Sequence, residues 1–592
     1  MKNYLIAFVL FFCVSSFAQN EQLAQNYFDR GDFEKALLNY DELLKQQPNN
    51  FMFFQRQVEC YQQLSLFEKA EKAIQSRLSV YNQPALLVEL GYNFQLQKNT
   101  VKANQFYQQA IETIKKNPSN VYGIGNVFER KVLLELALQA YQTAVVAQPD
   151  LNFNFQMGLL YGQLGNMDLM IDKLLTEAVA NPQSSIMVQN QLSRFILDDT
   201  TENFSNLLKK ALLLRAQKSQ DTFWNEYLSW FFVQQKEYAK AFVQEKAIYK
   251  RNPETFNNIV NLAQLAADEN DSDTAREILT FVLENTNDVD LKIQSQTSLL
   301  KIDIDKSSEK DFLTLKTRID NLLKEFGIGT NTLALQILQA NFLTFKTKNP
   351  AEGQAILKRC LALPINKYQE ADVKMELADQ FLYEEKFNQA LINYTQIQED
   401  LSQDQIGNEA SLKAAKTSYY KGDFDWALQQ FKALKSASSQ LIANDALELF
   451  LLINDNKVAD STYVGLKKFA RGDFLLYQNK TTTALAQFQA ILKENKDNEI
   501  TPATLLRLGK SSEKMGDFAS ALSYYDNLII NYKECIYVDE ALFFSAEIYQ
   551  KNMQLPDKAK PLYEQIIFKH QDSIFFVEAR QRFRQIRGDK EI

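Results

Sequence analysis

Apolar residues recur along this chain at three- and four-residue steps, the period of amphipathic helices. The clearest unit runs from Tyr27 to Pro48, YFDRGDFEKALLNYDELLKQQP. A first helix ends near Tyr27, Gly31-Asp32 breaks it, and a second helix carries Phe33, Ala36, Tyr40 and Leu43 on one face. The pattern returns 34 residues later, with Tyr61, Phe67 and Ala70 in the places of Tyr27, Phe33 and Ala36. Ala103, Ala137, Ala241, Ala275, Ala390, Ala427, Ala484, Ala521 and Ala559 continue the series. Met170 holds that place in one unit, which predicts looser packing there. Tyr40, Tyr107 and Tyr141 fall four residues after their alanines, on the same face. Gly91, Gly125 and Gly158 share one first-helix position, where close helix approach is the compensation for glycine's cost of about 1 kcal/mol. Pro118, Pro149 and Pro182 close units at points where a missing backbone donor does least harm. Period-2 alternation is nowhere sustained, so no β-sheet is expected.

A repeated helical hairpin of this length resembles the tetratricopeptide repeat family. The resemblance implies an all-α chain, an α-α superhelical solenoid of tandem hairpins that pack mainly on their neighbours. The segment LLRLGKSSEKMGDFASALSYYDNLI, with ALFFSAEIYQKNMQLPDKAKPLYEQII after it, looks like the carboxy-terminal hairpins of envelope members of the family. These include the lipoprotein subunit of the outer-membrane β-barrel assembly machinery and the periplasmic partner of the Tol-Pal system. One departure is Gln571, which stands where their turn has proline.

Divergent stretches set the expected organisation. Residues 19–289 read as an amino-terminal solenoid, 290–329 as a divergent helical connector, and 330–592 as a carboxy-terminal solenoid capped by a helix over 573–587. Asp199 and Glu202 form a capping box before LLKKALLLRAQ. An aromatic cluster, Phe223 to Phe232, covers more than one helical face, so burial between hairpins and partner contact both remain open for its rings. An extra or lengthened helix is expected within 440–480. There Gly472-Asp473-Phe474 falls inside a first helix and the turn belongs to Asn479-Lys480. Arg580, Arg582, Arg584 and Arg587 suit the carboxy-terminal end of the capping helix.

Composition narrows the function. Residues 1–18 read as a secretory signal, with Lys2, the apolar run Leu5 to Val14, and Ser16-Phe17-Ala18 before the cut. Phe12 before Cys13 departs from a lipobox. Cleavage removes Lys2 and no acid, so the net charge of −8 becomes −9, which argues against nucleic acid as partner. Cys60, Cys360 and Cys535 are scattered through different repeats and read as packing residues. A single histidine, His570, excludes histidine triads and multi-histidine metal sites. Gly123-Ile-Gly125 and Gly327-Ile-Gly329 lack the third glycine of a dinucleotide loop. No enzyme, cofactor or metal is expected.

By the resemblance, first-helix residues line the binding groove. Those positions here are Gln55, Glu59 and Gln62, then Val88, Tyr92 and Gln95, then Tyr122, Asn126, Glu129 and Phe155. Glu21 and Gln25 stand where chaperone-binding relatives keep the Lys and Asn that clamp a terminal carboxylate. The expectation is a scaffold or adaptor in the bacterial periplasm or peripheral to the outer membrane, binding other envelope proteins in biogenesis or secretion. The rival is a glycan-handling accessory or hydrolase that uses the groove.

Overall fold

The structure is a computed structural model. It describes residues 20–81, 83–198, 203–219, 221–253, 255–435, 439–459, 463–494 and 499–587. The signal segment and the capping-box residues Asp199 and Glu202 lie outside them. The described residues are helical throughout, with no strand, and successive helices pair as antiparallel hairpins in an all-α solenoid. By compactness the chain divides into two units, one up to Trp224 and one from Asn225.

In the first unit, a helix over 20–29 pairs with Phe33–Gln46, then Phe51–Gln63 with Phe67–Val80 and Ala85–Leu96 with Thr100–Lys116. Val121–Arg130 with Leu134–Ala147 and Asn154–Gln163 with Met167–Ala180 complete five hairpins, and Ser185–Asp198 and Asn203–Lys218 follow. Each hairpin turn has one residue in the left-handed region, at one repeat position: Gly31, Ser65, Lys98, Val132 and Gly165. The next amide returns to the carbonyl five residues back, as Asp32 does to Tyr27 and Leu133 to Phe128, which caps the first helix. Val132, β-branched at φ +57°, is the costliest occupant of that position.

The seam residues Ala36, Ala70, Ala103 and Ala137 are fully or almost fully buried. Beside them the second-helix rings press on the first-helix glycines. A Cβ on Gly91 would lie 2.5 Å from Tyr107, and one on Gly125 would lie 2.8 Å from Tyr141. The packing at Met170 is not loosened. Met170 is fully buried, and Gly162 opposite leaves its sulfur room that a Cβ would take, at 2.7 Å.

The second unit repeats the plan from Tyr238–Arg251 to Phe576–Arg587. Of the aromatic cluster that leads into it, Trp224, Tyr227, Phe231 and Phe232 are buried. The division at 224/225 differs from the boundary expected at 290–329. Those residues form Val289–Asp305 and Phe312–Phe326, and Leu300, Ile304, Leu315 and Ile319 share a core with Leu335 and Phe342 of the next hairpin. Between those two helices, 306–311 form a short turn that ends in the 3-10 helix Glu309–Asp311.

Three irregularities shape this unit. The first helices ending at Phe342–Lys346 and Ile548–Asn552 finish in π-turns, each taking one extra residue. The long helix Gln440–Ala459 is the extra element expected in 440–480. After it, Val464–Tyr477 packs back on the hairpin of Lys367–Tyr383. Phe474 meets Phe387 at 5.4 Å, and the Tyr477 hydroxyl donates to the Asp379 carbonyl at 3.1 Å. Gly472 to Phe474 lie within that helix, and Asn479 takes the left-handed turn position. The capping helix starts at Phe576, three residues after its expected start, because Ser573 accepts from Phe575 N–H and holds the preceding turn.

Candidate functional site

The sequence-selected residues of the first unit fall into two groups. Gln95 and Glu129 accept the hydroxyls of Tyr107 and Tyr141, so they hold their own hairpins together. The first-helix glycine admits the ring, and the residue one turn on receives its hydroxyl. Gln25 does the same for Tyr40, at 3.2 Å, which gives that position a structural use in place of a clamp. Gln55, Gln62 and Val88 are buried. Tyr122 and Asn126 are exposed, Tyr92 and Phe155 half-buried, and the Tyr122 ring stands edge-on to Phe153 at 5.4 Å.

Glu59, together with the buried Gln55, belongs to an ionic cluster spanning three hairpins. Arg130 donates to Gln55 Oε1 at 2.9 Å and to Glu89 Oε1 at 2.6 Å. Lys131 Nζ lies 3.2 Å from both Glu59 Oε1 and Glu89 Oε2, and 4.8 Å from the Tyr92 ring centroid. Arg56 pairs with Glu59 at 2.9 Å. Burial works against ionisation of Glu59, but Lys131, Arg130 and Arg56 outweigh it and hold the carboxyl below its usual range. Sequence reasoning missed Glu89, Arg130 and Lys131. The signal was present in Glu89, the lone acid of the apolar run ALLVELGYNF, followed by adjacent cations at the end of the next first helix. Three cations, Arg56, Arg130 and Lys131, thus face the two acids Glu59 and Glu89.

The second unit holds a cleft that sequence reasoning did not find. The approach of Val464–Tyr477 to Lys367–Tyr383 and Gln405–Lys421 leaves adjoining cavities of about 390 and 410 Å³. Lys416, Tyr420 and Tyr477 line both. Asp379 receives the Tyr394 hydroxyl and pairs with Lys413 at 2.7 Å. Asp473 accepts from Arg507 Nε at 2.9 Å and from the Tyr419 hydroxyl at 3.0 Å. Behind the cleft, burial pushes the Glu376 carboxyl up to about 7 against the opposing hydrogen bonds of Gln380 and Asn341. Among the described residues there is no cluster of metal-ligating side chains, and no helix is long and apolar enough to cross a membrane.

Comparison with known proteins gives one family. A tetratricopeptide-repeat family model matches residues 503–534. No curated protein matches the sequence. Two similar solved structures are Naa15/Naa10 bound to HypK-THB and the APC/C hetero-tetramer Cut9-Hcn1. The first is 11% identical over 92% of this chain and 99% of the other, with a TM-score of 0.28. The second is 13% identical over 96% of each chain, with a TM-score of 0.25. Superposition this weak carries no argument, and the architecture rests on the helix pairing itself. The matched residues are the hairpin Thr501–Lys514 with Phe518–Asn531, where Gly509 faces Tyr525 and Gly516 takes the left-handed turn. By that match residues 503–534 form a tetratricopeptide repeat, set in a solenoid of hairpins built on the same plan.

Proposed function

We propose that the chain is a non-enzymatic protein–protein interaction scaffold, exported to the bacterial periplasm, that binds other envelope proteins in outer-membrane biogenesis or secretion. The observation that carries the binding part is the inner face of the first unit. Gln55, Glu59, Glu89, Arg130 and Lys131 are locked together before any partner arrives, Tyr92 stands beside them, and Tyr122 is exposed on the same helix as Arg130. A rigid face with aromatic anchors loses little entropy on association, and such rings dominate contact energies. Export rests on the signal pattern of residues 1–18. A hydrolase would need carboxylates available to substrate, whereas Asp379 and Asp473 of the cleft are each held by a cation and a tyrosine hydroxyl.

Two measurements test this. Tyr92→Ala with Tyr122→Ala should weaken binding of a photo-crosslinked, identified partner at least tenfold, about 1.4 kcal/mol. Lys72→Ala, exposed on the second helix of its hairpin, should leave it unchanged. Equal affinities for all three proteins refute the inner face. Amino-terminal sequencing should find mature protein beginning at Gln19; an intact Met1 refutes export by cleavage.

A further inference from the structure

The cleft of the second unit lies where Val464–Tyr477 is tied to Lys367–Tyr383 across the hairpin between them in sequence. Its two cavities, about 390 and 410 Å³, share Lys416, Tyr420 and Tyr477, and each falls within the range of about 300–1,000 Å³ usual for small-molecule sites. The charges inside the cleft are taken up by one another. Lys413 pairs with Asp379 and Lys416 with Asp445, each at 2.7 Å. Arg507 faces both Asp473 and Glu448, at 2.9 and 3.0 Å, and Lys510 pairs with Glu540. Lys514 alone is left, out in solvent. A charged ligand would therefore meet no counter-ion within the cleft, and its desolvation would go uncompensated. What the cleft leaves open is neutral. Among the described residues the side chains of Tyr420, Asn479, Thr481 and Ser511 make no hydrogen bond. Ser511 carries the most weight, because it is only 6% exposed and its hydroxyl has no partner in the protein. Around these groups the walls are aromatic and aliphatic, with Phe345, Leu382 and Tyr394 in one cavity and Leu449 and Leu476 in the other.

We propose that this cleft binds a neutral oligosaccharide without cleaving it. A neutral sugar needs no counter-ion, and the cleft has none to give. Sugar hydroxyls both donate and accept, as do the open hydroxyls of Tyr420, Thr481 and Ser511 and the amide of Asn479. The C–H faces of a pyranose pack on aromatic rings, whose faces are electron-rich. Two adjoining cavities with a shared wall suit a short chain of sugars better than a single one. Cleavage would need a carboxyl pair free to act on the glycosidic bond, whereas Asp379 stays with Lys413 and Asp473 with Arg507. This goes beyond the scaffold reading, whose binding face is in the first unit.

The test titrates the full chain with two neutral trisaccharides, cellotriose and N-acetylated chitotriose, in isothermal titration calorimetry. Charged trisaccharides are the controls: the deacetylated, cationic form of chitotriose and the anionic trigalacturonic acid. At least one neutral trisaccharide should bind saturably, and about tenfold or more tightly than either charged control. Binding of either supports the proposal, and the choice between them tells a plain hexose glycan from an N-acetylated one. Ser511→Ala and Tyr420→Phe remove hydroxyls that make no hydrogen bond in the free protein, so the double variant should fold as the wild type does. It should weaken the saccharide by about tenfold or more and leave affinity for the crosslinked partner of the first unit unchanged. No binding of either neutral trisaccharide, equal or tighter binding of a charged one, or wild-type affinity in the double variant would each overturn the proposal. If the saccharide binds as expected but Tyr92→Ala with Tyr122→Ala leaves partner affinity unchanged, the scaffold reading alone falls.

Discussion

Substituting alanine at two glycines of neighbouring hairpins should move stability in opposite directions. Gly91 and Gly123 both lie in first helices, where Gly→Ala is worth up to about 1 kcal/mol of helix propensity. Their surroundings decide the sign. A Cβ on Gly91 would lie 2.5 Å from Tyr107 Cε1 and 3.0 Å from the Ala103 carbonyl oxygen. The ring cannot swing away, because Tyr107 is 2% exposed and its hydroxyl is tied to Gln95 at 2.8 Å. Overpacking of this kind costs about 1–3 kcal/mol, and so close an approach belongs at the upper end. The net for Gly91→Ala is a loss of about 2 kcal/mol, the propensity gain subtracted. A Cβ on Gly123 would meet only Ala85, at an ordinary 3.4 Å, so Gly123→Ala should gain most of its propensity term. Hydrogen exchange read by mass spectrometry suits a repeat array, where damage begins in one hairpin and its neighbours. Protection should fall over 85–116 in Gly91→Ala and rise over 121–147 in Gly123→Ala. Adding Tyr107→Ala to Gly91→Ala should cost less than the two changes summed, since the clash is gone. Equal effects of the two alanines, or strict additivity with Tyr107→Ala, would refute the ring-on-glycine account.

Two further outcomes are expected. Val132→Asn should raise the melting temperature, because asparagine takes the left-handed conformation more readily than a β-branched residue; an unchanged or lower value in calorimetry would remove strain at that turn. Burial raises the Glu376 carboxyl to about 7 against an ordinary value of 4.5 in the unfolded chain, so the folded protein holds a proton that the unfolded chain releases in that window. Stability therefore falls as pH rises from about 4.5 to 7, by about 3 kcal/mol in total, and levels off above. Denaturant unfolding of Glu376→Gln should lack this slope; parallel curves from pH 5 to 8 would contradict it.

The seam was legible because it repeats. Alanine, aromatic and glycine recur at fixed offsets wherever helices must approach, and the structure buries Ala103, Tyr107 and Gly91 together. The turns were only partly legible. Their left-handed position is a property of the backbone, filled by Gly31, Gly422 and Gly516 but also by Val132, Lys236 and Glu385, so spelling does not mark it. The candidate groove was read by position, and position does not distinguish a side chain facing solvent from one receiving a tyrosine hydroxyl. Gln95 and Glu129 are of the second kind. The cleft was not legible, since it depends on Tyr477 meeting Asp379 across 98 residues, and no periodic signal encodes that.

That same long tie changes how the chain would answer a pulling force. Where each hairpin grips only the next, an array gives way in small steps, one hairpin of slack at a time. Between Asp379 and Tyr477 the chain is closed into a loop by Tyr477, by Gln478 on the Tyr383 carbonyl at 2.7 Å, and by Phe474 against Phe387. The helices inside that loop carry no load until those contacts part. At about 3.5 Å per residue, their rupture frees on the order of 300 Å of chain. Lys413, Lys416 and Tyr420 of the cleft wall therefore sit inside a mechanical clasp, shielded from strain, while Phe345 and Arg507 of the same wall lie outside it and bear the load.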